Sequence, residues 1–86
     1  MKELRESITG IDQMIIELLS IRMEMARLIG EHKKMHDIPV RDAEREEALL
    51  EQLKVRAEKG NLPPELVERI YGLIFEESRR IQQERI

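Results

Sequence analysis

Arg22 stands where an apolar residue belongs. Positions 4, 8, 11, 15, 18, 22, 25 and 29 follow the alternating steps of four and three of a helical seam, and they read Leu, Ile, Ile, Ile, Leu, Arg, Met, Ile. On a helical wheel Lys33 lies about 20° from Arg22, roughly 16 Å further along the axis. Arg5 sits at the edge of the same stripe, and Glu46 points between Leu49, Leu50 and Leu53 on a second amphipathic stretch. On a third, Tyr71, Phe75, Ser78 and Gln82 follow one another at helical spacing, which places two polar groups beside an apolar seam.

Each of these residues has a plain structural reading. A lone Arg in a seam sets register or snorkels to water, Lys33 complements a helix C-terminus, and Glu46 suits the first turn of a helix. The set is harder to dismiss. Burying an unpaired charge costs several kcal/mol, and here three segments each direct polar heads toward one interior. Arg5, Arg22 and Lys33, with Arg45 as a fourth if it turns inward, outnumber the single inward carboxylate of Glu46. A cationic cavity otherwise lined by Ile, Leu, Met and Val suits a small compound with two carboxylates, which Arg grips in bidentate fashion.

Covalent machinery is missing. The chain has no Cys, and Ser78 has no His at a relay position. Glycine-rich phosphate loops are absent. His32 and His36 at i, i+4 have the spacing of a metal pair, but they lie off the Arg22 face, near a helix C-terminus that favours His by its dipole alone. The expectation is no metal and no cofactor.

Three helices must position these side chains. The first is expected over about 2–35, because no Pro interrupts it and Gly10 and Gly30 are tolerable within a helix. Pro39 ends it, Asp42 is a natural N-cap, and the second helix runs over about 43–59, stopping at Gly60 as a left-handed C′ residue. Pro64 suits the first position of a third helix over about 64–83, with Leu66, Val67, Ile70, Leu73, Ile74 and Ile81 toward a core. The fold class is all-α. A first helix near 48 Å exceeds the roughly 30 Å diameter of a compact domain this size, so half of its seam would face water. A second copy is the simplest cover, which predicts an obligate homodimer with the long helices paired across a two-fold axis.

Length and composition bound the rest. The 86 residues, with neither Cys nor Trp, indicate one small domain without disulfides, in keeping with a cytoplasmic location. The start MKELRESITG has no apolar h-region, and no apolar run approaches the roughly 20 residues of a membrane span. A net charge of -3 with interspersed signs, and two aromatic residues in all, argue against nucleic acid or anionic lipid as partner. At this length no fused dehydratase, dehydrogenase or regulatory domain is expected. Fifteen Glu and ten Arg beside a single Asn lean toward a heat-tolerant source.

These residues together resemble the all-helical class of chorismate mutases. The resemblance rests on Leu4-Arg5-Glu6 with Ile11-Asp12, Leu18-Leu19 followed by Arg22, and Gly30-Glu31-His32-Lys33. It continues through Pro39-Val40-Arg41-Asp42-Ala43-Glu44-Arg45-Glu46 to Ser78 with Gln82, and so covers nearly the whole chain. Asp37 stands where the family often has Gly. The resemblance implies an intertwined helical dimer in the shikimate pathway of aromatic amino acid biosynthesis, converting chorismate to prephenate without a cofactor. It further implies that Arg22 and the partner copy's Arg5 clamp one carboxylate, and that Lys33 and Gln82 hydrogen-bond the ether oxygen. Glu46 and the Asp42 backbone would hold the ring hydroxyl, and Ser78 and Arg45 would support the ring carboxylate. Two alternatives remain open at this point: an isochorismate pyruvate-lyase of the same fold, against which Glu46 counts, and a non-catalytic helical dimer docking on or regulating another aromatic-pathway enzyme. A mutase that also docks such an enzyme is compatible with either pattern.

Overall fold

A computed structural model describes residues 1–84 as three helices, α1 (Lys2–Met35), α2 (Ala43–Lys59) and α3 (Pro64–Gln83). The all-α class expected from the periodicity is what the chain forms. Thirty-four residues of α1 amount to about 51 Å at 1.5 Å per residue. The longest dimension of the molecule is 52 Å, and its radius of gyration is 15.6 Å where about 12 Å would suit a compact chain of this length.

The helix α3 holds the fold together. It packs on both α1 and α2, whereas α1 and α2 make no direct backbone approach to each other. Two small residues one turn apart, Ala26 and Gly30, are buried on α1, and Ala57 is their counterpart on α2. On α3 the buried set is Val67, Ile74, Phe75 and Ser78. Ile70 and Leu73, expected toward the core, face out instead, Leu73 with 70% of its surface exposed. The reason is azimuthal: α3 turns its Val67, Ile74, Phe75 and Ser78 stripe toward its two neighbours, and residues 70 and 73 both fall on one side of it, Leu73 the further away. The N-terminal half of α1 projects beyond α2 and α3, so its seam residues Leu4, Ile8, Ile11, Ile15 and Leu18 are all exposed.

Both connections close by the same device. After α2, the Leu62 N–H bonds the Ala57 carbonyl at 2.8 Å and the Asn61 N–H bonds the Glu58 carbonyl at 3.2 Å, a Schellman arrangement. The residue in the left-handed region is Asn61, with φ 60°, and not Gly60, whose φ is -97°. The expected left-handed Gly60 is therefore corrected by one position: the helix keeps Gly60 as its cap and hands the turn to Asn, the next most tolerant residue type. After α1, Ile38 N–H reaches the Lys33 carbonyl at 2.8 Å and Asp37 takes φ 53°. Asp42 caps α2 by accepting a bond from the Arg45 N–H at 3.1 Å. Exposed ion pairs decorate α1 and α3, where Arg27 joins Glu24 to Glu31 and Arg80 joins Glu77 to Glu84. Hydrogen bonding to these guanidiniums holds the Glu24 and Glu77 carboxyls below their ordinary range.

Relief of the left-handed strain at Asp37 is measurable. Asp37→Gly should raise the unfolding free energy by about 0.5–1 kcal/mol, and the β-branched Asp37→Val should lower it by about 1–2 kcal/mol, in denaturant titrations read by circular dichroism.

Candidate active site

A cavity of about 360 Å³ opens between α1 and the first turn of α2, with α3 as its floor. Arg22, Met25, Ala26, Ile29 and Lys33 come from α1, and Val40 from the connection. Asp42, Arg45, Glu46 and Leu49 come from the start of α2, and Phe75, Ser78 and Gln82 from α3. Seven of the eight residues expected at the site, Asp42 among them only through the resemblance, thus line one cavity: Arg22, Lys33, Asp42, Arg45, Glu46, Ser78 and Gln82. The eighth, Arg5, lies about 26 Å from Arg22 along the axis of α1, out of reach of its own chain's cavity. His32 and His36 pack their rings against each other, centroids 4.4 Å apart, on the exposed end of α1 away from the lining.

Cation and anion are treated unequally here. The Arg22 guanidinium rests 5.8 Å from the Phe75 ring centroid and 5.9 Å from that of Tyr71, contacts that support a positive charge without neutralising it. The Lys33 ammonium donates to the Val40 carbonyl at 3.0 Å, which ties the end of α1 to the connection and leaves two of its three donors unused. Among the described residues none of Arg22, Lys33 and Arg45 forms an ion pair. Glu46, by contrast, is engaged by Arg79, whose Nη1 lies 2.7 Å from each carboxylate oxygen. With Glu46 so occupied and Asp42 spent on the helix cap, the cavity presents a surplus of positive charge among the apolar side chains of Met25, Ile29, Val40, Leu49 and Phe75.

Gln82 is the neutral member of the set. Its amide contacts the Ser78 hydroxyl through Nε2 at 3.3 Å, and its Oε1 is buried without a partner. Turning the amide by 180° lets Oε1 accept from the Ser78 hydroxyl and frees both N–H donors. Its position is fixed by Gly30: a Cβ at that glycine would come within 2.7 Å of the Gln82 Cα and 2.8 Å of its carbonyl oxygen. Gly30 is therefore more than tolerable within α1. It is what lets α3 approach closely enough for Gln82 to reach the cavity.

Sequence reasoning missed Arg79. It stands one residue after Ser78 and three before Gln82, and no local spacing links it to Glu46, 33 positions away.

A family model for chorismate mutase type II matches residues 4–83. The chain is similar to the bifunctional chorismate mutase/prephenate dehydratase of Buchnera aphidicola, with 40% identity over 74 residues, 86% of this chain and 19% of that protein. The enzyme of the same name from Escherichia coli is 38% identical over 80 residues, 93% of this chain and 21% of that protein. The T-protein of Haemophilus influenzae is 32% identical over 78 residues, 91% of this chain and 21% of that protein. The chain spans about a fifth of the length of these curated relatives.

The close approach at Gly30 sets a testable cost. Gly30→Ala should destabilise the fold by about 1–3 kcal/mol, since α3 backbone rather than a flexible side-chain tip must give way. Thermal melting of the variant beside the control Gly10→Ala, whose added Cβ meets nothing within 4 Å, separates this contact from helix propensity.

Proposed function

The chain belongs to the chorismate mutase type II family, and from that premise we propose that it catalyses the cofactor-free rearrangement of chorismate to prephenate, as an isomerase of phenylalanine and tyrosine biosynthesis. One observation carries the reading: three cations without acidic partners and the amide of Gln82 converge on a single cavity whose apolar lining comes from Met25, Ala26, Ile29, Val40, Leu49 and Phe75. Such a cavity suits a flexible dianion.

In this rearrangement a C–O bond breaks while a C–C bond forms, and the protein contributes no covalent step. Its work is selection of the compact conformer and stabilisation of charge. Arg22 and Arg45 grip carboxylates at two sides of the cavity, with Ser78 beside the ring carboxylate, and so restrict the substrate to the folded shape in which the bonding carbons meet. Negative charge then builds on the ether oxygen. The Lys33 ammonium and a Gln82 N–H, preorganised by Val40 and Ser78, bind that oxygen more strongly as the bond stretches, which lowers the barrier rather than merely tightening binding. Glu46, with the Asp42 backbone, accepts from the ring hydroxyl.

A homodimer completes the proposed site. The exposed seam of α1 is symmetric about position 13, so that in an antiparallel pairing Ile11 meets Ile15, Ile8 meets Leu18, and Leu4 meets Arg22 of the second copy. That register, which buries all five exposed apolar layers, brings Arg5 of the second copy beside Arg22, where it joins the carboxylate clamp. A cytoplasmic setting belongs to the same proposal; among the described residues no helix is long and apolar enough to cross a membrane.

The decisive measurement follows loss of the chorismate chromophore, with product analysis separating prephenate from salicylate. Turnover to prephenate is expected, and a purified protein inert toward chorismate overturns the reading. Gln82→Glu should be active only at low pH, because a carboxyl donates a hydrogen bond only while protonated, ordinarily near or below pH 4.3. Loss of either ether-oxygen donor should cost about 3 kcal/mol in the barrier, roughly a hundredfold in rate. Arg5→Ala and Arg22→Ala should each be nearly dead alone, yet mixing them should restore one working site per mixed dimer. Ile15→Arg, next to the centre of the seam, should release monomers in sedimentation velocity runs.

A further inference from the structure

Arg79 has no part in the chemistry above, yet it makes the most enclosed ionic contact in the fold. Side-chain exposures of 23% for Arg79 and 22% for Glu46 make this the most enclosed ion pair among the described residues, and the one in which neither partner exposes as much as a quarter of its side chain. The guanidinium does not line the cavity; it stands behind Glu46 and reaches its carboxylate from outside.

Two consequences follow from that placement. A carboxylate facing a guest with two carboxylates of its own repels it, and the repulsion is strong where water is excluded. Arg79 cancels the charge while consuming one lone pair on each oxygen, so Glu46 keeps acceptor capacity for a hydroxyl. The same contact also keeps Glu46 out of reach of Arg22 and Lys33, whose pairing with it would fill the cavity's need for an anion internally. Because the backbones of α1 and α2 do not approach each other closely, this bond from α3 additionally helps fix how the first turn of α2 stands over Ser78 and Gln82.

We propose that Arg79 is a positioning residue: from behind the cavity wall it aims Glu46 and balances its charge, and so allows a dianion to bind beside a carboxylate. The inference rests on the function proposed above and deepens it.

The test is a double-mutant cycle on the purified full chain, reading kcat and KM for chorismate and, independently of turnover, the dissociation constant of prephenate by calorimetry. Arg79→Met should raise KM and the prephenate dissociation constant about tenfold while kcat falls less than about threefold, the split expected for lost binding of a charged ground state. In a Glu46→Gln background, where no carboxylate needs balancing, adding Arg79→Met should change either quantity less than about threefold. Arg79→Lys, which keeps the charge, should stay within about threefold of wild type. If Arg79→Met is too unstable to assay, the comparison of Glu46→Gln with the double variant, and of Arg79→Lys with wild type, still decides. Unchanged KM and prephenate affinity in Arg79→Met, or an equal penalty with and without the Glu46 charge, overturns the inference in favour of simple helix stapling. A wild-type protein that binds prephenate but leaves chorismate unconverted defeats the function instead, and the cycle is then read on prephenate affinity; binding of neither defeats both.

Discussion

Positive charge without a matching negative charge is the constraint around which this molecule is arranged. Arg22 leans on aromatic faces and Lys33 on a peptide carbonyl, supports that orient a cation while leaving its charge in force. An interior that held these heads with no guest would be costly in a closed core. The chain lowers that cost by keeping the cavity open to water, by leaving Arg45 exposed, and by resting the Arg22 guanidinium near the rings of Tyr71 and Phe75. What remains is a chamber short of anions in a protein whose overall charge is negative.

Small side chains supply the mechanical half of the design. Ala26 and Gly30 remove bulk from one face of α1 over a single turn, and α3 settles into that face until its backbone meets the glycine. The contact serves packing and the proposed chemistry together, because the residue brought against Gly30 is Gln82. The Schellman turns at Asp37 and Asn61 then set the direction in which the chain leaves each helix, and Asp42 starts α2 so that Arg45 and Glu46 fall on its first turn, over the cavity.

Much of this was readable before any coordinates. The three helices, the Asp42 cap, the Pro64 start and the polar residues interrupting apolar seams all follow from spacing and residue type, since helical periodicity links neighbours three and four apart. What escaped the reading depends on how helices cross. The Arg79 to Glu46 bond joins residues 33 apart and exists only at one azimuth of α3 against α2; the value of Gly30 lies in an atom it lacks, seen only from the opposing backbone; and Leu73 shares an apolar arc with Leu66 and Ile70, whereas α3 buries the adjoining arc that holds Phe75 and Ser78. The one-residue error at Gly60 has a different origin, namely that both Gly and Asn accept left-handed geometry and the hydrogen bonds to Ala57 and Glu58 choose between them.

The arrangement of α3 as the common support of two helices whose backbones stay apart has an evolutionary corollary. Gape and tilt of the chamber are set at two separate seams, one on each side of a shared beam, so a lineage could retune one jaw by substitutions around Ala57 and Val67 while the other jaw, with Arg22 and Lys33, kept its geometry. A fold of this kind offers two nearly independent dials for ligand shape, both buried at a distance from the groups that touch the ligand.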